Sequence, residues 1–459
     1  MDRCRPLVIA ALVAIMAACG ADGPIPTVPE ATDTPTAGGT VAPVPAFEAD
    51  AARISEHLNA LQDIADEHGG TRFSGTGGYE ASVDWAANEL RELGFEVETP
   101  EVEFTGFAEL PGTELEAGEE TFTGPDELRA LIYSASGDVT APVALLDESG
   151  CDPQHFADVD PGRIVLTVGG GCFRRQQAIN AAEAGAVALL VGYPGRGPGE
   201  IFRPTLIDPA GIDIPVVSVT DEAVTALEGV GDEPVRLSVE TEREPSVLRN
   251  VIAQLGDGET VVVVGAHLDS VLEGPGINDN GSGVAAVLEI ARGIAAADAL
   301  DGAAVRIGLW GGEELGLIGS RAYVEGQADE PVAYLNLDMA GSPNGANLIY
   351  AETGGVDGSS AITQAFVEWF TDRGLPVQTA DLGGGSDHGS FSAAGIPTGG
   401  LFAGATETGG AAQPSESASR GEPADACYHL ACDDIDNVDV DRAALFADAT
   451  LAVVLDLLR

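Results

Sequence analysis

Residues 260–269 read TVVVVGAHLD, and this stretch decides the fold. Four consecutive valines are β-branched and apolar, and the run is too short for a helix of ordinary length. Nothing in it alternates with polar residues, so the strand is buried on both faces, as in a parallel sheet. Outward from it the chain alternates. Residues 281–297 (GSGVAAVLEIARGIAAA) read as a helix, 303–312 (AAVRIGLWGG) as a strand and 313–326 (EELGLIGSRAYVEG) as a helix. Strand 332–339 (VAYLNLDM), helix 361–374 (AITQAFVEWFTDRG), strand 396–402 (IPTGGLF) and a closing helix at 441–458 follow. This pattern predicts an α/β fold, a mostly parallel central sheet with helices on both faces. Ligands of such sheets bind at the carboxyl ends of the strands.

Those ends hold acids and imidazoles. The first strand closes on His267 and Asp269, and the next loop carries Asp279 between Asn278 and Asn280. The second strand runs into Glu313 and Glu314, and the third ends at Asp338. Tyr428 and His429 lie late in the chain, between Cys427 and Cys432. Each piece alone has an ordinary explanation: a surface His-x-Asp pair, acids capping a helix dipole, a turn aspartate. Together they deliver two histidines and three carboxylates, a donor set suited to zinc. A carboxylate bridges two ions where an imidazole does not, and Asp279 is placed to bridge. His267 and Asp338 then hold one ion, Glu314 and His429 the other. Asp269 is positioned to orient the His267 ring, and Glu313 is left free as a base.

The N-terminal side has a different texture. Apolar positions at helical spacing span 48–68, glycines break the pattern at GGTRFSGTGG, and a second helix runs from Tyr79 to Leu93 with Gly94 as its stop. Phe95 to Phe104 alternates like a strand. From 115 to 242, short β-branched runs separated by turns surround one helix near Arg174 to Ala184, which reads as a β-rich insert. Residues 162–193, GRIVLTVGGGCFRRQQAINAAEAGAVALLVGY, resemble the protease-associated domain, whose members also carry an upstream cysteine, here Cys151.

Bulk composition narrows the function classes. The net charge is −53, with 21 basic residues against 74 acidic ones, and no lysine is present. Such a surface repels nucleic acid and anionic membrane. It suits a salt-adapted protein and an acidic secreted one equally. Arg3 and Arg5 precede a twelve-residue apolar run, LVIAALVAIMAA, that is short for a membrane span and right for a signal peptide. The run ends in small residues before Cys19, an arrangement that resembles a bacterial lipobox. Residues 1–19 are therefore read as signal peptide and 20–46, rich in Pro, Thr, Ala and Gly, as a flexible tether. The expected product is exported, secreted or lipid-anchored through Cys19 on the outer face of the membrane, and monomeric. Four cysteines remain, Cys151, Cys172, Cys427 and Cys432, an even number in an exported chain. Proximity favours Cys151–Cys172 and Cys427–Cys432, although four cysteines allow three pairings.

GAHLDS, GINDNGSGVAAVLEIAR, LWGGEELGLIGS, LNLDMAGS, SDHGSFSAAGIPTGGLF and CYHLACDD, in that order, resemble the co-catalytic di-zinc aminopeptidases of the zinc-exopeptidase superfamily. The resemblance covers about residues 50–112 and 243–459. It implies an aminopeptidase fold in two parts, 47–114 and 243–459, around a protease-associated insert at 115–242. It implies two zinc ions per chain, held by His267, Asp279, Glu314, Asp338 and His429. Glu313 is then the general base for a metal-bridging water, and Tyr428 donates to the oxyanion. It also implies a Cys427–Cys432 disulfide that pins the loop, a cis Asp279–Asn280 peptide bond, and peptides with a free N-terminus as substrates. One position departs. Secreted bacterial relatives place a substrate-fixing arginine before the pair matched by Ser386 and Asp387, where this chain has Gly385. Three alternatives remain: a carboxypeptidase of the same superfamily, which needs a basic pocket; a one-zinc glutaminyl cyclase; and a non-catalytic binding ectodomain.

Overall fold

The computed structural model describes residues 47–195, 197–297, 300, 302–326, 331–351, 355–406 and 423–459. The signal peptide, Cys19 and the tether lie outside the described residues.

The central sheet has eight strands: β1 (Glu96–Glu98), β2 (Val251–Leu255), β3 (Thr260–His267), β4 (Ala303–Trp310), β5 (Ala333–Asp338), β6 (Leu348–Tyr350), β7 (Gln378–Ala380) and β8 (Thr398–Phe402). Their order is β1-β2-β4-β3-β5-β8-β6-β7. β4, β3, β5 and β8 form a parallel run in the middle. The flanks turn antiparallel, at β1–β2, β2–β4 and β6–β8. The parallel run is the part that carries the site.

The valine run explains why β3 is central. Val262 and Val264 point into the larger core, and Val261 and Val263 point into a second one on the opposite face. Helices α1 (Ala51–Glu67), α2 (Gly77–Glu92), α3 (Gly283–Ala296), α4 (Ser359–Asp372) and α5 (Val440–Leu457) supply the first face. Tyr323, Trp310 and Phe391 close the second, and Tyr334 stacks on Phe391 at 3.7 Å between ring centroids. Burial of both strand faces is the fold's main driving force.

Two local expectations are corrected. The helix expected over 313–326 begins only at Ile318 and ends at Gly326. Leu317 has φ 61°, and Gly312 and Gly316 are also left-handed, so the Glu-Glu segment is a turn that aims its side chains instead of a helix start. The strand expected from Phe95 to Phe104 breaks at Thr99–Pro100 into Glu96–Glu98 and Glu101–Glu109. Its second half leaves the sheet to pair with Thr241–Arg249.

That ribbon leads into and out of the insert, whose own eight-stranded sheet begins at Glu114 and ends at Val239. The insert holds a second helix, Asp221–Gly229, which the sequence reading passed over, beside Arg174–Glu183. Its cysteines pair as Cys151–Cys172, and the late pair is Cys427–Cys432. Among the described residues no helix is long and apolar enough to cross a membrane.

Candidate metal centre

Strand ends and loops bring His267, Asp279, Glu314, Asp338 and His429 into one cluster. His267 Nε2 lies 3.2 Å from Asp279 Oδ1 and 3.3 Å from Asp338 Oδ1. His429 Nε2 lies 3.2 Å from Asp279 Oδ2 and 3.2 Å from Glu314 Oε2. Asp279 thus turns one oxygen toward each histidine. In each of the two trios, His267–Asp279–Asp338 and Asp279–Glu314–His429, one donor atom per residue falls within 4.8 Å of the others.

The residues fit metal ions on their own evidence. Glu314 Oε1 is buried and has no hydrogen-bond partner among the described residues, a costly condition unless a cation completes it. Without a cation the acids load the imidazoles. Burial disfavours charge on His267, but Asp338, Glu313, Asp269 and Asp279 overcome it and hold the ring's pKa well above its ordinary value. Burial likewise opposes His429, and Glu314 and Asp279 raise it. For Asp279 burial raises the pKa, but the two histidines win and leave it below the carboxylate range. Glu313 moves up, through burial first, with His267 opposing and Glu314, Asp387 and Asp338 adding.

Several residues hold this geometry. The Asp279–Asn280 peptide bond is cis. Asn280 ties its side chain to Leu337 O at 2.9 Å and accepts from Gly283 N and Met339 N. The His267 ring faces two groups of Asp269. Its Nδ1 is 3.1 Å from the Asp269 backbone oxygen, and the Asp269 carboxylate is farther, at 3.6 Å. That carboxylate also accepts from Glu313 N at 3.2 Å, so it positions the segment bearing the candidate base. His429 itself has φ 59° and stacks on Tyr428 at 3.9 Å.

Two clamps escaped the sequence reading. Arg72, fully buried, donates to the carbonyls of Leu268, Pro275 and Gly276 and so fixes the loop between His267 and Asp279. Asp433 accepts from the backbone N–H groups of Asn278 at 2.8 Å and Asp279 at 3.0 Å. Asp425 accepts from Asn278 Nδ2 at 2.6 Å. The Asp-Asp ending of CYHLACDD was the available signal: the segment that brings His429 also carries the acid gripping the Asp279 backbone. Asp433→Ala is expected to weaken zinc affinity about 10- to 100-fold, the usual scale for loss of a partner that orients a metal ligand. Titration with a competing zinc chelator reads it; unchanged affinity removes Asp433 from the site's support.

Cys427–Cys432 brackets Tyr428 and His429. Opening it is expected to weaken zinc affinity before the domain unfolds. Zinc release and circular dichroism along a reductant titration check this, and simultaneous loss contradicts it.

The cluster opens on a cavity of about 490 Å³ that Tyr428, Gly385 and Ser386 also line. The insert reaches this cavity too, through Cys172, Arg174, Arg203 and Thr205. Its Phe202 meets Tyr428 and His429 edge-on, at 6.0 and 6.4 Å. Arg203 ties the insert to Glu109 at 3.1 Å and to Glu273, in the loop before Asp279, at 3.0 Å.

Two histidines and three carboxylates sharing one central acid, at the carboxyl ends of parallel strands and open to a cleft, define a metallohydrolase. Comparison with known proteins makes this specific. Residues 250–454 match the model of Peptidase family M28, and residues 138–227 match that of the PA domain. The chain is 40% identical to the "Probable lipoprotein aminopeptidase LpqL" of Mycobacterium tuberculosis, over 85% of this chain and 81% of that one. It is 36% identical to an aminopeptidase of Pseudomonas aeruginosa, over 87% and 79%. Among solved structures, the aminopeptidase of Aneurinibacillus sp. strain AM-1 superposes with a TM-score of 0.69 at 25% identity, covering 89% of this chain and 93% of that one. The chain belongs to peptidase family M28 and is a metallo-aminopeptidase with a PA domain.

Proposed function

We propose that this zinc-dependent aminopeptidase releases single residues from the free N-termini of peptides, with two zinc ions held by His267, Asp279, Glu314, Asp338 and His429. The observation that carries the reading is the placement of Asp279, with one oxygen facing each histidine. A zinc aminopeptidase of Bacillus subtilis, similar at a TM-score of 0.68 and 25% identity, supports the choice of metal. Bound zinc would polarise the scissile carbonyl and lower the pKa of a water.

The chain's own groups do the rest. Glu313 takes the proton of the attacking water and returns it to the leaving amine. The Tyr428 hydroxyl donates to the oxygen that gains charge at the carbonyl. Asp338 and Glu313 receive the substrate's ammonium. Met339, Leu382 and Phe402 give the cavity an apolar wall that suits an aliphatic N-terminal side chain. Gly385 leaves this wall without the arginine of secreted bacterial relatives.

Hydrolysis of leucine anilide, compared with its N-acetylated form, tests the reading. Cleavage of the free form only is expected; cleavage of N-acetylated peptides would favour a carboxypeptidase. Export with a lipid on Cys19 belongs to the same proposal, and the word lipoprotein in the name of the M. tuberculosis relative supports it. Cys19→Ala is then expected to shift the enzyme from the membrane fraction to the medium, and an unchanged distribution contradicts it.

A further inference from the structure

A carboxypeptidase of the same superfamily needs a basic pocket, and arginines are scarce around the sequence motifs. The fold changes that count. Arg174 and Arg203 come from the insert and Arg321 from the helix Ile318–Gly326, and all three line the cavity that holds the metal cluster. In a chain with only 21 basic residues against 74 acidic ones, three in one cleft call for an explanation.

They are not equivalent. Arg203 is neutralised by Glu109 and Glu273. Arg174 donates to Gln177 Oε1 at 2.6 Å and to the Cys172 carbonyl, and Arg321 donates to the Gly316 carbonyl. These are neutral acceptors, and among the described residues neither guanidinium has a carboxylate partner. Arg174 is also nearly buried, so its charge is poorly screened by water. The Cys151–Cys172 disulfide sits just before it and anchors that wall.

We propose that Arg174 and Arg321 form a carboxylate-binding subsite on the leaving-group side of the cleft, which selects short peptides with a free C-terminus. The inference rests on the aminopeptidase reading. With the ammonium at Asp338 and Glu313 and the first side chain against Met339, Leu382 and Phe402, the rest of the substrate runs toward the insert. A short peptide ends there in a carboxylate, which an acidic protein otherwise repels. Fields of distant surface acids fade beyond about 8 Å at physiological salt, so two arginines in the cleft outweigh the bulk charge locally. Guanidinium is well matched to a planar carboxylate, as a donor pair of fixed geometry.

The test compares three peptides on the zinc-loaded enzyme: Leu-Gly-Gly, Leu-Gly-Gly-amide, and Leu-Glu-Gly-amide, whose only carboxylate is on a side chain. The expected wild-type result is a kcat/KM for Leu-Gly-Gly at least about tenfold above its amide, carried by KM, the low end for a charge-assisted hydrogen bond. Arg321→Gln and Arg174→Gln should each shrink that ratio toward one. A preference for Leu-Glu-Gly-amide over Leu-Gly-Gly-amide would assign the same subsite to an acidic side chain. Equal constants for all three peptides, or a preference that survives both substitutions, overturns the proposal. Arg321 is exposed, so its variant decides the matter if Arg174→Gln fails to fold. Leucine anilide is run beside them: if it is cleaved and the peptides do not differ, only the subsite fails. If it is not cleaved, the aminopeptidase reading fails and takes the subsite with it.

Discussion

Glu313→Gln is expected to keep both zinc ions and lose at least about a hundredfold in kcat, the low end for removing a general base. The amide has the shape of the carboxylate and cannot accept the water's proton. The surroundings keep the side chain in place, because Asp269 Oδ1 accepts from the Glu313 backbone N–H at 3.2 Å and not from the side chain being changed. The five proposed metal-binding side chains are untouched. The loss should therefore fall mainly on kcat, where the group acts as base, with a smaller rise in KM from the weakened contact to the substrate's ammonium. Stopped assays with leucine anilide and a zinc determination on the same sample separate the two effects. A variant with two zinc ions and near-normal kcat removes Glu313 from the chemistry.

Asp279→Ala is expected to empty both positions. Among the described residues Asp279 is the one carboxylate in ion-pair contact with both histidines, with 3.2 Å separating an oxygen from each ring. Its removal takes a ligand from each ion and leaves four acids and imidazoles that no longer share a centre. The metals supply several kcal/mol of transition-state stabilisation, so kcat/KM should fall about a thousandfold or more. The fold should survive, because Asn280, Arg72 and Asp433 hold the loop through bonds that do not use the Asp279 side chain. Zinc content after dialysis against a weak chelator is the reading. A variant that retains two ions contradicts the bridging role.

Much of this architecture is legible in the chain because its signals are local. Four valines in a row leave little choice but a strand buried on both sides, and Val261 to Val264 divide between the two cores accordingly. Acids and histidines at predicted strand ends meet because parallel strands deliver their carboxyl ends to one edge. The two disulfides, each between cysteines close in sequence, follow the same logic. What was not legible is non-local or depends on backbone angle. Glu313 and Glu314 look like a helix start until Leu317 adopts φ 61°. Asp269 looks like a carboxylate partner for His267, but the backbone oxygen of the same residue is nearer. Arg72 reaches loop carbonyls some two hundred positions away, and no periodicity announces such a contact. The arginines of the insert illustrate the point best. Arg174 is a helix residue in a domain that reads as separate, and only folding brings it to the cleft.

Two zinc ions are proposed to share Asp279. Zinc bound per chain, measured by mass spectrometry of the metal during stepwise loading of chelator-treated enzyme and followed by leucine anilide turnover, tests it most directly. Loading is expected to saturate at two ions per chain for wild type and near zero for Asp279→Ala, with activity tracking occupancy. Saturation at one ion, or two ions retained by Asp279→Ala, would contradict it.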